Sequence, residues 1–170
     1  MQLLRHREYI KTECTLIGSP ILKTKALRID ANTKSLKQQF NCKSMKSCDY
    51  FKLKKNNFYF IEVSDFNQQL IDLSNKKIST TDKKYIKMEI NLKLADTLLI
   101  FNEMSKKIKI NAKNTLLKKK ALLVACAKHP SDIVNFAYLE RELARHYCPT
   151  HFANIKVIPY TMLETILKRR

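Results

Sequence analysis

The chain has 170 residues, 45% of them hydrophobic, which is enough apolar material for one domain with a sizeable core. Lysine and arginine outnumber aspartate and glutamate by 33 to 15, so the formal net charge is +18 and an anionic partner is favoured. The single glycine excludes glycine-rich phosphate-binding loops and the nucleotide-cofactor chemistry that depends on them.

The first third of the chain predicts a helix, a strand and a hairpin. An apolar stripe at helical spacing predicts a helix over 3–17, and residues 26–30 are typical of a short strand. Residues 31–47 are polar and are predicted to form a loop. A hairpin over 49–63 follows, with strands at 49–53 and 58–63.

The remainder alternates helices and strands. We expect a short helix over 67–73 and a long helix over 83–108, with Ile86, Ile90, Leu94, Phe101 and Ile108 facing inward. The continuously apolar run 121–127 predicts a strand buried on both faces. It opens a strand–helix–strand unit over 121–158, and a terminal helix follows. The sequence therefore predicts one mixed-sheet α/β domain over 1–170.

Cysteine content and hydropathy bear on the compartment. The five cysteines form no C-x-x-C pair, which indicates reduced thiols rather than a disulfide framework. The N-terminal residues carry charges within the apolar run, unlike a signal peptide, and no run approaches 18 apolar residues. We therefore expect a soluble cytoplasmic protein without a membrane partner.

The densest basic stretch lies between the long helix and the buried strand. Nucleic acid, DNA or RNA, is the partner that this stretch favours, and an acidic protein is the alternative. A solvated helix end would have the same composition. The candidate nucleic-acid-binding residues are Lys106, Lys107, Lys109, Lys113, Lys118, Lys119 and Lys120.

The hairpin carries the most informative pair of residues. A turn centred between Lys55 and Asn56 pairs positions whose numbers sum to 111, which places Asp49 opposite Glu62. Like charges at such a position destabilise a sheet unless something offsets them, and Mg²⁺ or Mn²⁺ would do so. The alternative is a frayed strand start with Glu62 in solvent.

The segment Cys48-Asp49-Tyr50-Phe51, a short turn, Phe60-Ile61-Glu62-Val63-Ser64 and a helix containing Gln69-Leu70 resembles the PD-(D/E)XK nuclease superfamily. The resemblance implies a restriction-endonuclease-like αβββαβ core with extra helices and a nuclease-like domain. It implies that Asp49 and Glu62 hold the metal, with the Val63 carbonyl, and that an acid on the first helix, here Glu13, assists.

The resemblance also implies a catalytic lysine two residues after the glutamate, where this chain has Ser64. Either another lysine replaces it, with Lys76 and Lys77 as the candidates, or the protein is inactive. An active protein would be a Mg²⁺- or Mn²⁺-dependent endonuclease that hydrolyses DNA or RNA. The alternative function is an inactive, basic nucleic-acid-binding or assembly subunit with the same fold.

A second cluster has ligand types suited to zinc, although its spacing matches no familiar zinc module. Core and helix-end roles account for each member equally well, and nothing in the sequence lowers the pKa of a thiol for nucleophilic chemistry. The residues are Cys126, His129, His146, Cys148 and His151.

Overall fold

A computed structural model describes residues 7–10, 22–30, 36–39, 42–54, 57–65, 69, 82–108, 118–125, 136–148 and 151–168. The strands are β1 (Arg7–Tyr9), β2 (Lys25–Arg28), β3 (Tyr50–Lys54), β4 (Asn57–Ser64), β5 (Lys118–Ala125) and β6 (Asn154–Pro159). The helices are α1 (Leu36–Gln39), α2 (Asp82–Ile108), α3 (Ala137–Tyr147) and α4 (Tyr160–Lys168).

The six strands form one sheet in the order β1-β2-β3-β4-β5-β6. Neighbours from β1 to β4 are antiparallel, whereas β4, β5 and β6 are mutually parallel. Parallel neighbours need long crossover connections, and α2 and α3 lie in the two crossovers. The predicted single mixed α/β domain is confirmed at this level.

Side chains alternate between two cores, one on each face of the sheet. On β4, Phe58 and Phe60 pack under α2, whereas Tyr59 and Ile61 pack on the face that α4 covers. Because Glu62 and Ser64 continue the first series, they lie on the α2 face. That face carries the candidate site.

The central strand β5 confirms the prediction of a strand buried on both faces. Ala121 and Leu123 belong to the core under α2, and Leu122 and Val124 belong to the core under α4. The strand begins at Lys118 and ends at Ala125, so it is shifted toward the N-terminus from the predicted 121–127. Parallel partners on both sides explain its uninterrupted apolar run.

The predicted helix over 3–17 is wrong at Arg7–Tyr9, which is strand β1. It pairs with β2, with Arg7 opposite Leu27 and Tyr9 opposite Lys25. The helical spacing of apolar residues is overridden here because this pairing satisfies the backbone groups along the open side of β2. The rest of 3–17, apart from Ile10, lies outside the described residues.

Two further predictions, for residues 31–47 and 67–73, can be compared with the structure. The predicted loop over 31–47 contains α1, whose Leu36 is buried in the core under α2. Of the predicted helix over 67–73, only Gln69 is described, and its N–H donates to the Asp65 carbonyl. No helix in the described part of the chain has the length and apolar character needed to cross a bilayer.

Helix α3 covers the outer edge of the sheet at β6. The N–H of Val157 donates to Glu140 Oε2 at 2.8 Å, and the N–H of Ile155 bonds the Cys148 thiol. Lys156 Nζ lies 2.8 Å from Glu140 Oε1 and fixes the carboxylate. Side chains of α3 and of the residue that follows it therefore take the place of a further strand.

Candidate functional site

The register of the hairpin places Asp49 in the candidate site. Strands β3 and β4 pair Tyr50 with Ile61 and Lys54 with Asn57, so paired numbers sum to 111 as predicted. Asp49 directly precedes β3, and its Oδ2 accepts a hydrogen bond from the Val63 N–H at 2.8 Å. Its carbonyl accepts from the Ile29 N–H at 2.8 Å, which continues the pairing with β2.

Glu62 is a buried carboxylate, with only 1% of the residue exposed. Oε1 accepts hydrogen bonds at 2.5 Å from both Lys93 Nζ and Ser64 Oγ. Oε2 is buried and has no hydrogen-bond partner among the described residues. The predicted alternative, a glutamate in solvent, is therefore wrong. An orphaned buried carboxylate oxygen is costly unless a further group binds it.

The cation beside Glu62 is Lys93 on α2, a residue that the sequence reasoning missed. Its side chain is 20% exposed, so the ion pair is largely shielded from water. A signal for it existed: Lys93 follows Ile86 by seven residues, on the inward stripe of the helix. A charged residue at that position would have pointed to a buried partner.

A hydroxyl fixes α2 against the beginning of β3. Thr97, one turn after Lys93, accepts from the Cys48 N–H at 2.8 Å and donates to the Lys93 carbonyl at 2.6 Å. Thr97 is 1% exposed. The residue preceding Asp49 and the helical turn that carries Lys93 are therefore held together by one buried side chain.

The three ionisable groups influence one another. Burial and the Glu62 carboxylate raise the pKa of Asp49 to about 7, against the Val63 hydrogen bond and the positive charges of Lys93 and Arg28. Burial alone would lower the pKa of Lys93, but Glu62, through charge and hydrogen bonding, raises it above its ordinary value, aided by Asp49 and Glu89. Lys93 is therefore a cation at neutral pH.

The donor atoms of this site are of the type that a divalent cation prefers. Two carboxylates and coordinated water suit Mg²⁺ or Mn²⁺, and Glu62 Oε2 is the donor left over after the protein's own bonds are made. No group of three or more His, Cys, Asp or Glu side chains with a metal-binding arrangement occurs among the described residues. The protein would thus supply two anionic ligands.

The remaining residues of the predicted centre are placed only in part. Val63 donates its N–H to Asp49. The metal contact expected of its carbonyl stays a prediction. Glu13, Lys76 and Lys77 lie outside the described residues. The structure therefore brings together Asp49, Glu62 and Ser64, and it adds Lys93.

Of the seven lysines in the predicted nucleic-acid-binding stretch, two have described side chains. Lys106 is exposed and pairs with Glu103 at 2.6 Å. Lys119 is half-buried, with Nζ 5.6 Å from the centre of the Phe101 ring. Lys109 and Lys113 lie outside the described residues, as do the side chains of Lys107, Lys118 and Lys120. The basic stretch stays a prediction.

The structure describes three of the five residues of the candidate zinc cluster. His146 and His151 are exposed, and Cys148 is half-buried, where burial raises the pKa of its thiol. Cys126 and His129 lie outside the described residues. The described members sit at the end of α3 and just after it, as residues in helix-end roles do.

Comparison with known proteins identifies no relative: no protein-family model, curated protein or solved structure matches the chain. The geometry of Asp49, Glu62 and Lys93 therefore carries the functional argument by itself.

Proposed function

We propose that this protein is a metal-dependent nuclease of the PD-(D/E)XK type that hydrolyses phosphodiester bonds of DNA or RNA. The observation that carries the proposal is the buried Oε2 of Glu62, left without a hydrogen bond beside Asp49. The order of elements supports it, since the antiparallel strands β2 to β4 lead through the long helix α2 into β5 and β6, which are parallel to β4, and β1 adds one more antiparallel strand at the edge. A restriction-endonuclease-like αβββαβ core has that order after its first helix, whereas residues 7–9 of this chain form β1.

Asp49 and Glu62 would hold Mg²⁺ or Mn²⁺. When bound, the cation would supply Lewis acidity to the phosphate and favour ionisation of a water. Lys93 holds Glu62 through Oε1 and leaves Oε2 available, and its charge opposes the repulsion between the two carboxylates. Its ammonium group would also stabilise negative charge developing on a phosphate. Lys93 thus takes the role that Ser64 cannot perform.

The test is cleavage of labelled single-stranded RNA and DNA with Mn²⁺. We expect Glu62→Gln and Lys93→Met each to reduce the rate by about a hundredfold or more. Matched controls come from α2, the helix that carries Lys93: Glu103→Gln removes an exposed carboxylate and Lys87→Met removes another ion-paired lysine. Both controls should keep the wild-type rate.

A second measurement separates metal binding from catalysis. Mn²⁺ should raise the melting temperature of the wild type and of Lys93→Met, but not that of Glu62→Gln. Cleavage that survives Glu62→Gln, or a wild type that neither cleaves nor is stabilised by Mn²⁺, would refute the proposal.

The second candidate is an inactive, basic nucleic-acid-binding or assembly subunit. The observation that favours it is the short Lys93–Glu62 ion pair, which already compensates one buried carboxylate without a metal. Wild type and Glu62→Gln would then bind nucleic acid equally and cleave none.

A further inference from the structure

The long helix α2 exposes a row of large apolar side chains. Tyr85, Met88, Leu92 and Leu99 are 37, 55, 45 and 54% exposed. With half-buried Ala95 and exposed Asn102 they recur at alternating steps of three and four residues. We call these six residues the outer seam of α2. Such spacing is the heptad pattern by which two helices pack side by side.

The outer seam is not needed to hold α2 on the sheet. The opposite side of the helix is buried in the core through Ile86, Ile90, Leu94, Phe101 and Met104. A surface helix with one apolar face would have polar residues at the seam positions. A contiguous exposed apolar row on a helix that is already anchored indicates an interaction surface.

We propose that the outer seam binds the same seam of a second copy of this chain, with the two α2 helices side by side and parallel. The charges beside the seam select this occupant and this direction. Glu89, Asp96 and Glu103 flank one side, and Lys84 flanks the other. Within the chain, Glu89 lies 3.5 Å from Lys46 and Glu103 lies 2.6 Å from Lys106, so each of these carboxylates also has a lysine of its own chain beside it. In a parallel pair, Lys84 of each copy faces Glu89 of the other, twice by symmetry.

An antiparallel pair would bring like charges together. Reversing one helix places Glu89 of one copy near Asp96 of the other, which costs affinity. The net charge of +18 opposes the association of two copies. At 0.1 M salt the Debye length is about 10 Å, so repulsion between more distant lysines is screened.

The size of the seam sets the strength of the association. It runs from Tyr85 to Asn102, which is two and a half heptads. Stable coiled-coil dimers use three or four heptads or more, and small interfaces form transient complexes. The dimer is therefore in concentration-dependent exchange with the monomer, and it strengthens with added salt.

Sedimentation velocity of the full chain over a wide concentration range tests the proposal. The wild type should shift from monomer to dimer, and Leu92→Lys should stay monomeric. Met162→Lys is the matched control, because Met162 is 46% exposed and lies on α4, on the other face of the sheet. Leu99→Lys provides a second seam variant, and circular dichroism checks that each variant is folded.

A charge exchange tests the direction of the helices. Lys84→Glu should weaken the dimer several-fold, and combining it with Glu89→Lys should restore much of the loss. Glu89→Lys alone is the control for the lost pair between Glu89 and Lys46 of the same chain. A wild type that stays monomeric at the highest concentration, or a dimer that survives Leu92→Lys and Leu99→Lys, would overturn the proposal. Failure of the exchanged pair to recover affinity would overturn the parallel arrangement.

Discussion

The buried carboxyl group of Asp49 lowers the stability of the folded protein as the pH rises. Burial and Glu62 raise its pKa from the ordinary 3.8 to about 7, so the native state holds a proton there that the unfolded chain releases. Between about pH 4 and pH 7 the native state binds more protons than the unfolded state. Stability therefore falls as the pH rises through this window, the reverse of a salt-bridged aspartate.

Replacing Asp49 with Asn should remove this dependence. In EDTA we expect Asp49→Asn to be more stable than the wild type at pH 8, by about 2 kcal/mol, and nearly equal to it at pH 4. Urea unfolding at several pH values measures the difference. Glu103→Gln, at an exposed carboxylate, should follow the wild type. If the free energy of unfolding depended on pH equally in Asp49→Asn and in the wild type, the raised pKa of Asp49 would be contradicted.

The hairpin part of the site could be predicted from the sequence, whereas for the helix part the sequence marks Lys93 as a charge on the inward stripe without identifying its partner. The two-residue period of a strand places Glu62 on the same face of β4 as Phe58 and Phe60, and the turn fixes the register with Asp49. Lys93 is 31 residues beyond Glu62, and its position depends on how α2 rotates over the sheet. No local pattern links the two residues.

Among the contacts between elements, a hydrogen bond of the buried Thr97 fixes α2 to the chain that leads into β3. The hydroxyl satisfies the Cys48 N–H, which is otherwise buried without an acceptor in this arrangement. Because the bond precedes Asp49 by one residue, it positions the carboxylate as well as stabilising the fold. Element contacts of this kind align groups that are far apart in sequence.

Thr97→Val keeps the shape of the side chain and removes the bond. We expect a loss of about 1 to 2 kcal/mol in the free energy of unfolding, since the Cys48 N–H is left unsatisfied. Ser105→Ala is the control, because its hydroxyl bonds the Phe101 carbonyl of its own helix. Chemical denaturation measures both, and equal losses would show that Thr97 acts only within α2.

Helix prediction succeeded for α2 and failed at residues 7–9. Predicted 83–108 and observed Asp82–Ile108 agree, because 27 residues of consistent spacing leave no competing structure. Residues 7–9 have apolar neighbours at helical spacing, yet the open edge of β2 offers backbone partners that sequence spacing does not reveal. Tertiary pairing determined the outcome there.

For the whole molecule, the net charge of +18 dominates long-range interactions. Binding to random single-stranded RNA or DNA should weaken steeply with salt, because each neutralised phosphate releases counterions. We expect a drop of about a hundredfold or more between 50 and 200 mM NaCl, measured by fluorescence anisotropy. Affinity that is independent of salt would exclude nucleic acid as the partner of the basic surface.

The covered edge at β6 bears on how the protein behaves when concentrated. The outward N–H groups of Val157 and Ile155 are bonded to Glu140 of α3 and to Cys148 directly after α3, so an extended chain arriving there finds no free donor at either residue. Strand addition at this side requires α3 to detach first. The helix thus protects against templated aggregation, and alkylation of Cys148 would weaken that protection without touching Asp49 or Glu62.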